Sequence, residues 1–393
     1  MLRLPFRIAP SFAAAAPPLA VAWRPALAPG PALATALTLA LALAFAGSTA
    51  LADPGPRTRA AALKARAVND ASRAMTTYAG REDAMAFADD IATRRGLDRE
   101  WVRGTIARAR LLANVPRLML PAPVGTPKNW RVYRSRFIDP VRIAAGVRFW
   151  RDNAATLARA EAEFGVPPEI VVGIVGVETI YGRNMGSFRV IDALATLSFD
   201  FPQSHPRAAE RQAFFRGELE SFLATERRAG EDPMAPLGSY AGATGMPQFM
   251  PSSIARYAVD YDGDGRIDLS GNPADVIGSV ANYFKAFGWQ RGLPSVLPVG
   301  FDTRRLQMPV LMAPDIKPTF SADSFMAAGA VLDESGQRFT GLLALIELQN
   351  GAEPASYVAG TSNFYVITRY NWSSYYAMSV LDLGNEVKAA LAQ

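Results

Sequence analysis

The stretch from residue 166 to residue 182 reads Val-Pro-Pro-Glu-Ile-Val-Val-Gly-Ile-Val-Gly-Val-Glu-Thr-Ile-Tyr-Gly, and the rest of the chain is organised around it. Pro167 and Pro168 suit the first turn of a helix, because that turn does not use the N–H groups that proline lacks. The residues after Glu169 are apolar on every side, so we predict a helix that is buried on most of its faces. Gly182 is the expected C-cap.

Glu178 is the carboxylate at the far end of this predicted helix. So much apolar surface disfavours the charged form, and we therefore expect a raised pKa. A carboxylic acid that keeps its proton near neutral pH can serve as a general acid. The alternative is a structural glutamate that reaches solvent or pairs with an arginine.

Four segments of the chain resemble the lytic murein transglycosylase B family. They are residues 167–182, 190–199, 242–253 and 367–371, and the resemblance covers most of the chain from about Tyr133 onward. That family cleaves the glycan strands of bacterial peptidoglycan without using water. The resemblance implies a mainly α fold, with a lysozyme-like transglycosylase core, a helical N-terminal region and a small β-containing element.

Composition excludes several other classes of site. The chain has 393 residues, half of them hydrophobic, which is ample for a sizeable core. It has no cysteine, so disulfides, thiolate nucleophiles and cysteine-based metal sites are impossible. His205 is the only histidine, which excludes a multi-histidine metal site and leaves no convincing hydrolase triad.

Residues 1–52 are predicted to be a signal peptide. Arginines precede an apolar run at 32–46, and small residues follow up to an Ala-Leu-Ala site at 50–52. The run is short for a transmembrane helix, and no cysteine follows it to carry a lipid. We therefore expect a soluble periplasmic protein without a membrane anchor. Cleavage leaves basic and acidic residues nearly balanced, which argues against a nucleic-acid partner.

The mature chain divides into three predicted parts. Residues 53–128 form a helical N-terminal region, in which Gly96 closes one helix and Asp98 caps the next. Residues 129–295 form the lysozyme-like catalytic core. Residues 296–393 form a mixed α/β region that completes the substrate groove.

Hydrophobic periodicity predicts further elements inside these parts. One long helix should run from Asp139 to about Phe164, and an amphipathic core helix from Arg207 to Arg228 with Phe214 among its apolar residues. Another should run from Pro273 to Gly288. Short apolar runs bounded by Pro and Gly predict strands at residues 296–299, 310–312, 357–358 and 364–367, and a helix at 381–392 should close the chain.

The resemblance also implies a set of residues that line the substrate groove: Tyr133, Ser239, Gln248, Tyr283, Tyr370, Asn371 and Tyr376. Aromatic faces and amide or hydroxyl groups suit a sugar-binding cleft. Glycine in the 239–245 loop allows a ligand to approach the backbone closely. Without the resemblance, the same residues could equally be structural aromatics and a plain connecting loop.

Residues 260–268 follow the EF-hand pattern. Asp260, Asp262 and Asp264 stand at positions one, three and five, and Arg266 at position seven, where the backbone carbonyl is the ligand. Hard oxygen ligands converging on one point suit calcium. The alternative is an acidic turn without an ion.

The sequence departs from the EF-hand pattern at position twelve, where it has Gly271 instead of the expected glutamate. The resemblance implies a longer loop whose last carboxylate comes from the next helix, and Asp275 fits that place. Because the loop is unpaired, we predict a structural Ca²⁺ rather than a calcium switch. The EF-hand-like loop thus spans residues 260–275.

The predicted function is a lytic transglycosylase that cleaves between N-acetylmuramic acid and N-acetylglucosamine and leaves a 1,6-anhydro ring. No second acid lies in a comparable motif near Glu178, although most glycosidases use two. The resemblance implies that the 2-acetamido group assists and that Glu178 later acts as a base. A hydrolytic muramidase and a non-catalytic peptidoglycan-binding protein are the alternatives. We expect a monomer acting on glycan strands, with cell-wall synthases as candidate protein partners.

Overall fold

The computed structural model describes residues 76–121, 123 and 125–393. The predicted signal peptide and the part of the helical N-terminal region before residue 76 lie outside the described residues. No helix in the described ranges is both long enough and apolar enough to span a membrane.

The first part of the described chain is helical. Gly96 closes the first helix in the left-handed conformation and Asp98 caps the second through its side chain, so both predictions are confirmed. The elements are α1 (Glu82–Arg95), α2 (Arg99–Arg108), α3 (Val115–Leu118), α4 (Trp130–Arg134), α5 (Pro140–Asp152), α6 (Ala154–Phe164) and α7 (Pro168–Thr179).

The second part mixes helices with short strands. In chain order the elements are β1 (Phe188–Arg189), α8 (Val190–Phe199), α9 (Ala208–Ala229), β2 (Leu237–Gly238), α10 (Pro251–Tyr257), α11 (Pro273–Ala286), β3 (Val296–Leu297), β4 (Gly300–Phe301), α12 (Met308–Met312), α13 (Ala322–Ala327), β5 (Ala330–Val331), α14 (Glu334–Gln337), β6 (Ala344–Asn350), β7 (Glu353–Gly360), α15 (Ser362–Thr368) and α16 (Ser374–Leu391).

Three apolar cores hold these elements together. The central core gathers α4 to α7, α11, α15, α16 and the inner face of β6. The N-terminal core joins α1 to α3 with α8 and α9. The sheet core is formed by buried residues from the segment 297–359. Elements far apart in sequence therefore share a core, while the division into three sequence segments stays a prediction.

The strands form small antiparallel sheets. β3, β7 and β6 make a three-stranded sheet in that order, with Ile346 opposite Val358 and an irregularity between Leu348 and Asn350. β1 pairs with β2, and β4 pairs with β5. The fold is thus mainly α with a small β element, as predicted.

Helices α7 and α16 approach each other closely at glycines. A Cβ atom on Gly173 would lie 2.3 Å from the carbonyl oxygen of Val380, and one on Gly384 would lie 2.0 Å from that of Glu169. Real Cβ contacts are never so short, so only glycine permits this approach. The close approach brings the end of α7, with Glu178, next to the first turns of α16.

Several predicted element boundaries are wrong. Residues 310–312 and 364–367 lie in helices α12 and α15 instead of strands. Short apolar runs do not distinguish a buried strand from a buried helix turn. Helix is favoured in α12 by Pro309 in its first turn. In α15 it is favoured by the side chain of Thr361, which caps the helix.

Two predicted helices also differ from the structure, and a third is confirmed but lacks one of its expected core residues. The helix expected from Asp139 to Phe164 is interrupted at Asn153, which ends α5 and precedes α6. The closing helix begins at Ser374, where Ser373 caps it, rather than at residue 381. Phe214 on α9 is 37% exposed and does not join the core as its neighbour Phe215 does.

Candidate active site

Helix α7 supplies the buried floor of the site. Pro167 occupies its N-cap and Pro168 its first helical position, as predicted. Residues 170–177 are all buried. Glu169 in the first turn forms a 2.9 Å ion pair with Lys388 of α16. The helix is therefore fixed on most sides before it reaches Glu178.

The end of α7 is not the one predicted. Ile180 is the C-cap in the left-handed conformation, so the assignment of Gly182 as C-cap is wrong. Thr179 Oγ1 accepts the N–H of Gly182 at 3.0 Å and donates to the carbonyl of Met246 at 2.8 Å. This tertiary contact closes the helix two residues before the glycine.

Glu178 lies half-buried in the last turn of α7. Its Oε1 accepts a 2.5 Å hydrogen bond from Tyr376 Oη. Burial raises the pKa of Glu178 to about 7, and the bond from Tyr376 offsets part of that rise. The negative end of the helix dipole also disfavours the charged form. The carboxyl group therefore holds its proton over a pH range in which a general acid is useful.

Three tyrosines lie near enough to this carboxyl group to be affected by its charge: Tyr133 on α4, Tyr376 on α16, and Tyr370 in the loop before α16. Burial raises the pKa of each hydroxyl, to about 12 for Tyr133, and the charge of Glu178 raises it further. The rings of Tyr370 and Tyr376 stack with centroids 6.4 Å apart. The hydroxyls are therefore neutral hydrogen-bonding groups beside the acid.

Tyr283 and Asn371 adjoin this cluster through Tyr370. The ring of Tyr283 lies 4.9 Å from that of Tyr370, and its hydroxyl donates to the carbonyl of Arg369 at 2.7 Å. Tyr283 therefore supports Tyr370 from behind. Asn371 is 9% exposed, and its Oδ1 has no hydrogen-bond partner. A buried acceptor without a donor is costly, which suits a ligand group that donates to it.

Ser239 belongs to the glycine-rich loop that lies between β2 and α10. It is buried, and its Oγ accepts the N–H groups of Ala241 at 3.3 Å and Ala243 at 3.1 Å. These bonds close the loop on itself. Ser239 therefore shapes the loop, and its contact with a saccharide stays a prediction.

Gln248 connects the same loop with the chain that follows α7. Its backbone is left-handed, with φ 50°, and its Nε2 donates to the carbonyls of Met185 at 3.1 Å and Gly245 at 2.9 Å. The preceding Pro247 carbonyl accepts a 2.5 Å bond from Tyr370 Oη. The loop thus reaches the tyrosine cluster beside Glu178.

The EF-hand-like loop brings three carboxylates together. Oxygen atoms of Asp260, Asp262 and Asp264 all lie within 4.8 Å of one another, and this is the only such acidic group in the described part of the chain. The carboxylate of Asp260 accepts the N–H groups of Gly263 and Gly265, at 2.7 Å and 2.8 Å, as a tight loop requires. The donor set consists of hard oxygens and fits calcium.

Asp275 and Arg266 do not belong to this group of three carboxylates. The two carboxylate oxygens of Asp275 accept the N–H groups of Tyr261 at 2.7 Å and Asp268 at 2.8 Å. The side chain of Arg266 points to Glu231 at 3.4 Å, so a metal ligand from this residue would have to be its backbone carbonyl. Coordination by either residue stays a prediction.

The sequence did not single out three residues that hold the site or the segments leading to it. Thr179 ties α7 to the glycine-rich loop, as described above. Tyr375 turns its ring to within 5.6 Å of Tyr133. Glu218 on α9 is buried, and accepts the N–H of Ser252 at 2.8 Å and its hydroxyl at 2.6 Å. Only Glu218 had a signal in the sequence, because it falls on the apolar face of its helix. The roles of Thr179 and Tyr375 depend on tertiary contacts.

A lysozyme-like fold with one half-buried acid beside a cluster of tyrosines is typical of a glycan-cleaving class of enzyme. Residues 80–385 match the family model of the transglycosylase SLT domain. The chain therefore belongs to this family, and it is a lytic transglycosylase.

Relatives of known structure agree with this assignment. The chain is 41% identical to the membrane-bound lytic murein transglycosylase B of Escherichia coli (strain K12), over 80% of this chain and 85% of that protein. It superposes on the Escherichia coli lytic transglycosylase SLT35 in complex with bulgecin A with a TM-score of 0.71, at 41% identity, over 80% of this chain and 96% of that one.

Two further structures carry ligands of interest. SLT35 has also been solved in complex with calcium, and that structure superposes with a TM-score of 0.70, at 41% identity, over 80% of this chain and 96% of that one. SltB3 from Pseudomonas aeruginosa, in complex with NAG-anhNAM-pentapeptide, superposes with a TM-score of 0.63, at 27% identity, over 77% of this chain and 79% of that one.

Proposed function

We propose that Glu178 is the catalytic acid and base of a transglycosylase reaction on peptidoglycan glycan strands. Glu178 donates its proton to the glycosidic oxygen that joins C1 of N-acetylmuramic acid to N-acetylglucosamine. The bond between that oxygen and C1 then breaks. The oxygen of the 2-acetamido group on the same sugar supplies an electron pair to C1. The leaving sugar departs with a free hydroxyl.

The second step returns the proton. The Glu178 carboxylate accepts the proton of the sugar's own 6-hydroxyl, whose oxygen bonds to C1 and displaces the acetamido oxygen. The product carries a 1,6-anhydro ring, and no water is consumed. Between the two steps the bond from Tyr376 Oη stabilises the carboxylate, since that bond lowers the pKa of Glu178.

One observation carries this proposal: Glu178 is a protonatable acid without a second carboxylate beside it. In the described ranges, no other Asp or Glu bonds to Glu178 or shifts its pKa, and none but Glu178 shifts those of Tyr370 and Tyr376. Most inverting and retaining hydrolases use a second carboxylate to activate water or to attack C1. A lone acid suits a reaction in which the substrate supplies its own nucleophiles.

The remaining groove residues would bind the saccharide. Tyr133, Tyr370 and Tyr376 offer aromatic faces and neutral hydroxyls, and Tyr283 supports Tyr370. The unpartnered Oδ1 of Asn371 would accept from a sugar N–H or hydroxyl. Ser239 and Gln248 would border the groove from the glycine-rich loop. The structures of SLT35 with bulgecin A and of SltB3 with a muropeptide support this use of the groove.

We also propose a structural Ca²⁺ held by the side chains of Asp260, Asp262 and Asp264, the backbone carbonyl of Arg266, and Asp275. The calcium complex of SLT35 supports this assignment. The place of action would be the periplasm, where peptidoglycan lies. Cell-wall synthases stay candidate partners on the sequence alone.

The decisive experiment combines one substitution with isotope labelling. Glu178→Gln keeps the size of the side chain but neither gives nor takes a proton, so activity on purified peptidoglycan should fall by about two to four orders of magnitude or more. Wild-type digestion in oxygen-18 water should release muropeptides with 1,6-anhydro ends and no label. The products are measured by mass spectrometry.

Each other outcome has a defined meaning. Heavy oxygen at the new reducing end would show hydrolysis and reject the transglycosylase mechanism. Unchanged activity in folded Glu178→Gln protein would reject Glu178 as the acid. Binding of glycan by this variant, measured by sedimentation with insoluble peptidoglycan, separates lost chemistry from lost binding.

A further inference from the structure

The chain directly after Glu178 adopts a strained backbone. In the described part of the chain, four residues other than glycine have a left-handed φ, and two of them are consecutive: Ile180 at 53° and Tyr181 at 57°. A β-branched residue such as isoleucine is especially unfavourable in this region. Strain of this kind persists only where the surrounding structure enforces it.

Two backbone bonds enforce this conformation. The N–H of Ile180 donates to the carbonyl of Gly176 at 3.2 Å, and the N–H of Tyr181 donates to that of Val175 at 3.2 Å. The chain therefore turns back beneath the last turn of α7. This turn places the Tyr181 side chain against the helix that carries Glu178.

The ring of Tyr181 fills a gap between α5 and α7. A Cβ atom on Gly146 of α5 would lie 2.4 Å from Tyr181 Oη, and one on Gly176 of α7 would lie 2.5 Å from it. The ring centroid is 5.2 Å from that of Phe149 on α5. Glycine at both positions leaves the space that the ring occupies, and no larger residue fits unless the ring moves.

The ring holds its place by packing and not through its hydroxyl. Tyr181 Oη is buried and has no hydrogen-bond partner. Beside the ring, the buried guanidinium of Arg142 donates through Nε to the carbonyl of Gly176 at 3.0 Å. The Tyr181 ring, the Arg142 guanidinium and Leu383 of α16 all contact the segment of α7 just before Glu178, and that segment is buried.

We propose that Tyr181 is a positioning residue, whose ring, wedged between α5 and α7, fixes the last turn of α7 so that Glu178 faces Tyr376 rather than solvent. This inference rests on the proposed role of Glu178 and adds a residue that acts through it. The strained conformation is the means by which the ring reaches the gap.

The test compares Tyr181→Leu with Tyr181→Phe. The leucine leaves part of the gap empty, so kcat on glycan strands should fall by about tenfold to a hundredfold while KM stays within about twofold. The high-pH limb of the kcat profile should move to lower pH, because water that reaches Glu178 lowers its pKa. Tyr181→Phe keeps the wedge and should match the wild type in both measurements.

Two further variants separate positioning from a general loss of stability. The Cβ of Gly146→Ala would lie 2.4 Å from Tyr181 Oη and 2.5 Å from a side-chain methyl of Val387 on α16, while α7 keeps its sequence. Combined with Val387→Ala, which relieves the second contact, Gly146→Ala presses on the ring alone and should show the same shift in the pH profile. Phe325→Leu removes part of a fully buried ring in the sheet core and should lower Tm with an unchanged pH profile.

The proposal is overturned if folded Tyr181→Leu and Gly146→Ala combined with Val387→Ala both keep the wild-type kcat and pH profile. It is also overturned if Tyr181→Phe is as impaired as Tyr181→Leu, because the hydroxyl would then be the working group. Wild-type activity in Glu178→Gln would instead reject the proposed acid, whatever the Tyr181 variants do. The two failures are therefore distinguishable.

Discussion

At the scale of single residues, the environment of Glu178 links the protonation of its carboxyl group to stability. Its carboxyl group has a pKa of about 7 in the folded protein against an ordinary value of 4.5, so it binds its proton more tightly in the folded state. Below the unfolded pKa both states are protonated, and the group costs no stability. As pH rises through the folded pKa the full cost develops, because the folded state must hold a buried charge.

Glu178→Gln should therefore remove a pH-dependent cost. The free energy of unfolding of the variant minus that of the wild type should be larger at pH 8 than at pH 5. The increase should be at most roughly 3 kcal/mol, at about 1.4 kcal/mol for each pKa unit. Denaturant unfolding at the two pH values measures the change. Glu100→Gln, which replaces an exposed carboxyl group on α2 with an amide, is the control substitution. A difference between Glu178→Gln and wild type that is equal at both pH values would contradict the prediction.

At the scale of secondary-structure elements, the contact of α7 with α16 assembles the site. Glu178 and Tyr376 stand 198 positions apart in the chain and meet only because these two helices pack at glycines. Gly384 faces a backbone carbonyl, which cannot move aside as a flexible side chain would. The distance between the helices therefore sets the geometry of the acid.

Gly384→Ala should push α16 away from α7. Overpacking of this kind destabilises proteins by about 1–3 kcal/mol, and the shift should also lower kcat because Tyr376 moves with its helix. Gly217→Ala on α9 is the matched control, since its Cβ would meet nothing within 4 Å. That variant should be stabilised by roughly 0.4–1 kcal/mol with unchanged kcat. A stable, fully active Gly384→Ala variant would show that the helices tolerate a wider spacing.

At the scale of the whole molecule, the EF-hand-like loop connects parts of the chain that carry candidate substrate-binding residues. It lies between α10, which follows the glycine-rich loop, and α11, which carries Tyr283. Tyr261 within it packs in the central core. An ion bound in this loop would therefore stabilise the part of the central core in which Tyr261 packs.

Calcium should raise the melting temperature of the full chain. A ligand that binds only the folded state at about a hundred times its Kd adds about 2.7 kcal/mol to stability. Asp262→Ala should lose most of this gain, whereas Asp323→Ala, at an exposed position on α13, should keep it. Differential scanning calorimetry with calcium and with a chelator gives the comparison. Equal wild-type melting temperatures in both conditions would reject the calcium site.

Local signals determined much of this protein from the sequence alone. The apolar run between Pro168 and Glu178 predicted a buried helix, because no amphipathic arrangement can expose such a segment. It also predicted the raised pKa of Glu178, since burial acts on any carboxyl group there. The caps at Gly96 and Asp98, and the acidic group at 260–264, follow from short-range chemistry in the same way.

Only the tertiary structure decided what depends on distant parts of the chain. Short apolar runs such as 310–312 and 364–367 became helices because their surroundings, not their periodicity, select the conformation. The turn that ends α7 at Ile180 is closed by its own backbone bonds and tied to a distant loop by the contact of Thr179 with Met246. The meeting of Glu178 with Tyr376 depends on glycines that let two helices approach, and side-chain packing between distant segments leaves no periodic trace in sequence.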